Sequence, residues 1–256
     1  MRVPSRRAGG VRLLVLAVLV AAWDVGVRAG AIDPFYTSAP LPVLATAVRW
    51  VTSGYIVGHA LATLGVTLVG LASGMLLGVL VGFAVAFSRR VERVALPFLA
   101  AANALPRVIL YPLFVLWLGV GPLSRVVLVI SLVAFPAIFN TQAAIRSVDR
   151  EVVRNARVLG AGGPQLVRHI YLPAVAVWLL STIRVTMGFA LAGAILGEYV
   201  GAVRGMGMVL AFAQAMFNAR EVMAGTAVLL TLIWIVDFGL RAVERTVTRW
   251  RMMEVV

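Results

Sequence analysis

Residues 61–87 read LATLGVTLVGLASGMLLGVLVGFAVAF, a run without one charged side chain. As a helix it is about 40 Å long, more than the roughly 30 Å of hydrocarbon in a bilayer. Gly70, Gly74, Gly78 and Gly82 recur at every fourth position, with Gly65 just before them. Four glycines at that spacing share one helix face and let another backbone come close, which is how helices associate where water does not drive them together. Such a stripe serves packing inside one subunit or an interface between subunits, and alone it names no function.

The same character extends along the chain. Of 256 residues 62% are hydrophobic and 13% charged, and the mean hydropathy is +1.00, whereas an average soluble chain is roughly 45–50% apolar and about 25% charged. The excess has to face lipid. Six apolar stretches, near 11–27, 61–87, 97–118, 122–139, 174–200 and 222–240, predict six membrane spans joined by short connectors. The chain is expected to form one all-α integral membrane domain. Residues 1–59 would supply the first helix and an outer loop. Residues 60–241 would form a five-helix core with a cytoplasmic loop at 146–173, and 242–256 a cytoplasmic tail. The first span is expected to be retained, although an Arg-rich start, an apolar run and Ala29-Gly30-Ala31 resemble a cleavable signal; Asp24 and Arg28 crowd that region.

The formal charge is +13, and every one of the 23 basic residues is arginine. On a soluble chain that balance would suggest nucleic acid. Located along the chain, 16 of the 23 fall in four clusters at 2–12, 89–93, 146–168 and 241–251, all on one side of the six-span topology. The opposite side carries Arg28, Arg49, Arg125, Arg204 and Arg220, so both termini and the 146–173 loop are expected to be cytoplasmic. The charge reports orientation and no nucleic-acid partner. With no cysteine and only His59 and His169, a thiolate site, a disulfide framework and a cysteine nucleophile are excluded, and no metal site is expected.

Ionisable groups within spans are candidates for a solute path. Arg107 lies among Pro97, Pro106 and Pro112 of an irregular third span, and either attracts anions into a cavity or binds carbonyls that the prolines free. Arg184 and Glu198 are expected on one face of the fifth span, about 21 Å apart and unable to pair. Glu198 serves a path or a structural hydrogen bond. The apolar segment 208–217, after Arg204-Gly205-Met206-Gly207, is too short to span and reads as a re-entrant or surface helix on the outer side.

The loop from Asp149 to Pro173 carries the most specific pattern. Val152, Val153, Ala156 and Leu159 recur at helical spacing with arginines opposite, and Gly160, Gly162, Gly163 and Pro164 stop that helix. A second short helix is expected over 165–171. Two short helices at a bend make a docking knob, with no catalytic pocket. This segment resembles the EAA loop of permease subunits of binding-protein-dependent ABC importers. Asn155-Ala156, Gly160 and Ile170-Tyr171-Leu172-Pro173 stand at that motif's spacings. Arg154 replaces its leading glutamate; Glu151, one turn earlier, carries the nearest carboxylate on that face. Trp23-Asp24, Ser88-Arg89-Arg90, the run 113–121, Phe135-Pro136, Arg146-Ser147-Val148-Asp149 and Gly197-Glu198-Tyr199-Val200-Gly201 are similar to the nitrate, sulfonate and taurine branch of these permeases.

The resemblance implies a type I importer permease (MetI-like) fold in a bacterial inner membrane. It also implies a second permease copy, most simply a homodimer in the lipid bilayer, cytoplasmic ABC ATPase subunits and an extracytoplasmic solute-binding protein. The coupling loop (Glu151, Arg154, Asn155, Ala156, Gly160, Ala161, Ile170, Leu172, Pro173) would enter the ATPase, and alternating access would follow. The chain would be no enzyme and bind no cofactor; ATP and Mg would sit in the partner, in keeping with the lack of any lysine for a phosphate loop. The solute would be a sulfonate, nitrate or a pyrimidine precursor. An intramembrane enzyme or a stand-alone secondary carrier is the alternative, but neither a Gly-x-Ser-Gly serine with a membrane histidine nor an aspartate cluster is present.

Overall fold

A computed structural model describes residues 6–248, with side chains described for 10, 11 and 14–242. Arg2, Arg249, Arg251 and the rest of 249–256 lie outside the described residues, as do the side chains of Arg6, Arg7, Arg12 and Arg245. The described residues fold into helices without strands. In order these are α1 (Arg6–Arg28), α2 (Pro34–Thr37), α3 (Pro40–Thr52), α4 (Tyr55–Phe87), α5 (Arg89–Ala104), α6 (Tyr111–Leu118), α7 (Pro122–Arg146), α8 (Arg150–Val158), α9 (Gly163–Leu166), α10 (Leu172–Tyr199), α11 (Met206–Ala215) and α12 (Ala219–Thr248). A 3-10 turn (Arg107–Leu110) precedes α6, and a π-helical stretch (Val167–Tyr171) runs from α9 into α10.

The glycine stripe of α4 sets the core. Each glycine abuts α7 of the same chain. A β-carbon on Gly70 would lie 2.5 Å from that of Val129, one on Gly74 2.9 Å from that of Val133, and one on Gly82 2.6 Å from that of Thr141; one on Gly78 would overlap Ala137. The partners advance together every fourth residue, so α4 and α7 run parallel in close contact over about 18 Å. Helix α10 runs against both: Glu198 meets Thr63 and Thr186 meets Met75 on α4, while Gly193 meets Leu132 and Gly197 meets Arg125 on α7. Val66, Leu71, Met75, Val129, Val133, Ala137, Ala190 and Ala194 fill the space between the three.

A parallel α4 and α7 forces the chain to cross the membrane once between Phe87 and Pro122. Helices α5 and α6 make that crossing as a broken span bent by 86°. The expected continuous span over 97–118 is thus two helices, because Pro106 lacks the amide hydrogen that would carry the helix through Leu105. Helices α4, α7, α10 with its α9 lead-in, and α12 are each long and apolar enough to cross, which with the bent pair makes five crossings. Helix α1, 23 residues long, has the length for a sixth and exposes Leu14, Leu16 and Leu19.

Several boundaries differ from the sequence expectation. Helix α4 begins at Tyr55, so the division at 59/60 falls inside it. Helix α12 runs on through Thr248, past the expected start of the tail at 242. Two outer helices, α2 and α3, occupy what reads as loop. Helix α3 buries Val43 and Thr46 against α12 while Leu41, Leu44, Val48 and Val51 stay exposed, the pattern of a helix lying at the membrane surface.

Candidate functional site

One end of the core, where α7 ends and α10 begins, carries a knob built from α8, α9 and the π-helical stretch. Asp149 caps α8 by accepting from the Glu151 amide at 2.8 Å. The helix stops where Gly160 takes φ +90°, a left-handed conformation with no room penalty for glycine, and the Ala161 amide donates to the Ala156 carbonyl at 2.9 Å. The Gly162 amide donates to Gln165 Oε1 at 2.7 Å and starts α9. Between the two arms lies an open cleft of about 390 Å³ lined by Ala156, Leu159, Gly160, Gln165, His169 and Ile170. Leu159 is 88% exposed and Val158 82%. Arg154 pairs with Glu151 at 3.7 Å on the outside of α8. Hence the carboxylate one turn before Arg154 is engaged by that arginine. An amide, an imidazole and aliphatic chains offer binding surface without a nucleophile–base pair. Val158 and Leu159 are two neighbouring exposed aliphatic side chains, the second of them on the wall of the cleft.

The knob is joined to the core at several points. The ring of Tyr171 stands edge-on to Phe87 at 5.0 Å, and Tyr171 packs with Ala144, Ile145 and Val175. A π-helical stretch joins α9 to α10, a feature that recurs at functional sites because it spoils local hydrogen-bond register. Arg146, which the sequence suggests mainly orients the chain, forms an ion pair with Glu92 of α5. Gln142, nearly buried, donates to the same carboxylate at 2.8 Å.

At the opposite end of the core a second cluster forms around Glu198, which is fully buried. Glu198 Oε2 accepts from the Thr63 hydroxyl at 2.8 Å and from the Gly207 amide at 3.0 Å. The Met206 amide donates to Thr63 Oγ1 at 2.9 Å, and the Gly205 amide donates to His59 Nδ1 at 3.2 Å. The first amides of α11 are therefore held by side chains from α4 and α10, the groups a helix N-terminus leaves unpaired. Gly205 sits at φ +136°, and a β-carbon there would overlap the Glu198 carboxyl. Arg125 stands 3.9 Å from Glu198 Oε1 and donates to the carbonyls of Gly121 and Arg204 at 3.0 and 3.2 Å. The Tyr111 hydroxyl donates to the Gly197 carbonyl at 2.8 Å.

The three charges expected along a path are thus placed differently from one another. Glu198 is enclosed by α4, α7 and α11. Arg107 is half-buried at the break of the third span. Its guanidinium donates to the Asn103 carbonyl at 2.9 Å, contacts the Asn103 side chain, and lies 4.6 Å from the Phe135 ring centroid. Arg184 is exposed on α10. Arg184 and Glu198 lie about 40° apart around α10, fourteen residues at 100° each falling that far short of four turns, and across that angle Glu198 is buried while Arg184 is exposed. Sequence inspection missed Glu92, Gln142, Thr63, His59, Arg125 and Tyr111. A single acid among Arg89, Arg90 and Arg93 was the available signal for Glu92. The Gly-x-Gly opening of α11 was the signal that its amides meet an acceptor.

Comparison with known proteins agrees with this geometry. Residues 74–249 match the family described as binding-protein-dependent transport system inner membrane component. The chain is 29% identical over 239 residues to the aliphatic sulfonates transport permease protein SsuC of Bacillus subtilis, covering 93% of this chain and 87% of that one. It is 31% identical over 239 residues to the riboflavin transport system permease protein RibX of Chloroflexus aurantiacus, covering 93% and 88%. Among solved structures, an inward-facing MetNI methionine ABC transporter matches with a TM-score of 0.67 and 21% identity over 75% of this chain and 96% of that chain, a likeness of fold.

Proposed function

The chain belongs to the family of binding-protein-dependent transport system inner membrane components, and on that premise we propose how it works as the permease subunit of an ABC importer. It is a non-catalytic membrane subunit. The knob of α8 and α9 docks on a cytoplasmic ATPase that holds ATP and Mg. Movement of the knob turns α4, α7 and α10 together, and a path between two copies of the chain opens alternately to either face. Six spans place both termini in the cytoplasm, and an extracytoplasmic solute-binding protein delivers the solute from the outer side. The observation that carries this is the knob itself: exposed Val158 and Leu159 beside a cleft, at the spacings of the EAA loop.

Arg184 supports the two-copy arrangement. A guanidinium exposed near the middle of a span costs roughly 2.5–3.5 kcal/mol in lipid, so that face of α10 belongs against protein or a wet cavity. Arg107 and Arg184 are assigned to the path, where they favour small anions such as a sulfonate or nitrate. Relatives named for sulfonates and for riboflavin are equally similar, so the binding protein does most of the selecting. The docking assignment is tested with Gly160→Arg and with deletion of residues 155–160. Both are expected to reach the membrane at normal levels and to lose ATPase retention and transport. Retention of the ATPase at wild-type yield with normal transport in both variants overturns it.

A further inference from the structure

We propose that Glu92 is the tether through which the knob moves the bent third span, a step that rests on the docking of the knob to an ATPase. Helix α5 buries none of its residues and follows α4 after the single residue Ser88. Apolar contact does not hold it to the core, and in a bilayer lipid competes equally for its apolar face. Arg89, Arg90 and Arg93 point outward while the Glu92 side chain is turned in, 15% exposed. There it receives the Gln142 amide and the Arg146 guanidinium, both from the last turn and a half of α7. Arg146 is three residues before Asp149, the residue that starts α8. A displacement of the knob therefore acts on the end of α7 and, through Arg146 and Gln142, on α5.

The rest of the bent span is fastened in the same manner. At the break, Arg107 closes the Asn103 carbonyl at the end of α5 and lies over Phe135 of α7. At the outer end, the Tyr111 hydroxyl holds the Gly197 carbonyl, next to the Glu198 that anchors α11. The third span is thus a two-armed element with an 86° elbow, attached to the core at its foot, elbow and top by polar or cation–π contacts. Directional contacts of this kind keep a fixed geometry while the lipid-facing sides slide. Glu92 is a positioning residue, and what it positions is α5.

The test is the charge exchange. Glu92→Arg places an arginine against Arg146; Glu92→Arg with Arg146→Glu restores the pair with its signs reversed. Each is assembled with its ATPase and solute-binding protein in vesicles, and solute taken up per ATP hydrolysed is measured beside ATPase retention. Glu92→Arg is expected to retain the ATPase and lose at least tenfold in solute per ATP, and the exchange to recover at least a third of the wild-type ratio. Normal uptake by Glu92→Arg overturns the proposal, as does an exchanged pair that inserts but couples no better than the single variant. Where Glu92→Arg fails to insert, Glu92→Gln replaces it, and unchanged solute per ATP in that variant overturns the proposal. Loss of the ATPase from the wild-type preparation refutes docking itself, so the two failures are told apart.

Discussion

Replacing Gly78 by alanine adds one methyl group at the tightest point of the α4–α7 seam. Its β-carbon would overlap that of Ala137 and lie 2.7 Å from the Ala134 carbonyl oxygen and 3.2 Å from the Ile138 nitrogen. None of these atoms is the end of a flexible side chain, so the helices themselves must separate. Overpacking of that kind costs about 1–3 kcal/mol. Separation also loosens the contacts of Gly74 with Val133 and of Gly82 with Thr141 one turn to either side. Gly65, in the same helix, has nothing within 4 Å of the same added atom. There the gain in helix propensity stands alone, about 0.5–1 kcal/mol in favour of alanine. The two substitutions are chemically identical and share the propensity gain, so Gly78→Ala is expected to be the less stable by the overpacking cost alone, about 1–3 kcal/mol. Thermal unfolding of the purified subunit in detergent, followed by tryptophan fluorescence, reads the difference. Ala137→Gly should recover part of the loss in Gly78→Ala and couple to it in a double-mutant cycle. If Gly78→Ala unfolds at or above the temperature of Gly65→Ala, the reasoning that the stripe is a seam between α4 and α7 is refuted.

Three further outcomes follow from the outer cluster and the knob. Glu198→Ala leaves the Gly207 amide without an acceptor and the Arg125 guanidinium without its acid, at about 1–3 kcal/mol for each group. Thr63 loses less, because its hydroxyl also reaches the His59 carbonyl at 3.2 Å. Protease cleavage in the 200–205 loop should rise, and wild-type resistance would count against the anchoring of α11. Gly205→Ala, strained by its φ and blocked by the carboxyl, should resemble Glu198→Ala, and the double variant should be less than additive in melting temperature. Asp149→Ala removes the cap of α8 at about 1 kcal/mol. Amide exchange over 150–158 should quicken while α7 and α10 are unchanged, and uniform exchange would disprove a local role.

What the sequence reveals and hides follows from physics. The spans, their order and the position of the knob are legible because lipid demands long apolar runs and because arginine clusters mark one side. The glycine stripe announces close packing, but its partner is invisible, since Val129, Val133, Ala137 and Thr141 have no common chemistry beyond fitting a groove. Helices α2 and α3 are missed because an interfacial helix has the amphipathic composition of a loop with prolines. Glu92 and Glu198 are each one letter. Their roles depend on Gln142, 50 positions from Glu92, and on Thr63, 135 positions from Glu198, with the Gly207 amide nine positions on, beyond a loop.

The buried polar groups also bear on where a solute can be selected. Along the core, Thr67 donates to the Thr63 carbonyl at 2.7 Å, Thr182 to Trp178 at 2.9 Å and Thr186 to Thr182 at 2.8 Å. Each hydroxyl is thereby occupied by its own helix, the usual way a threonine is accommodated in hydrocarbon. Glu198 is occupied by α11. These groups are committed to holding helices, and using them to bind a passing solute would require breaking bonds that replace water, whereas the Thr141 hydroxyl and Glu198 Oε1 are buried without a hydrogen-bond partner. Arg184 is exposed on α10. A charge presented there is useful only if another surface completes a cavity around it. On the function proposed above, discrimination among solutes belongs to the space between two copies and to the binding protein that loads it. Under that reading, relatives 29% and 31% identical to this chain can carry the names of sulfonates and of riboflavin on one permease scaffold.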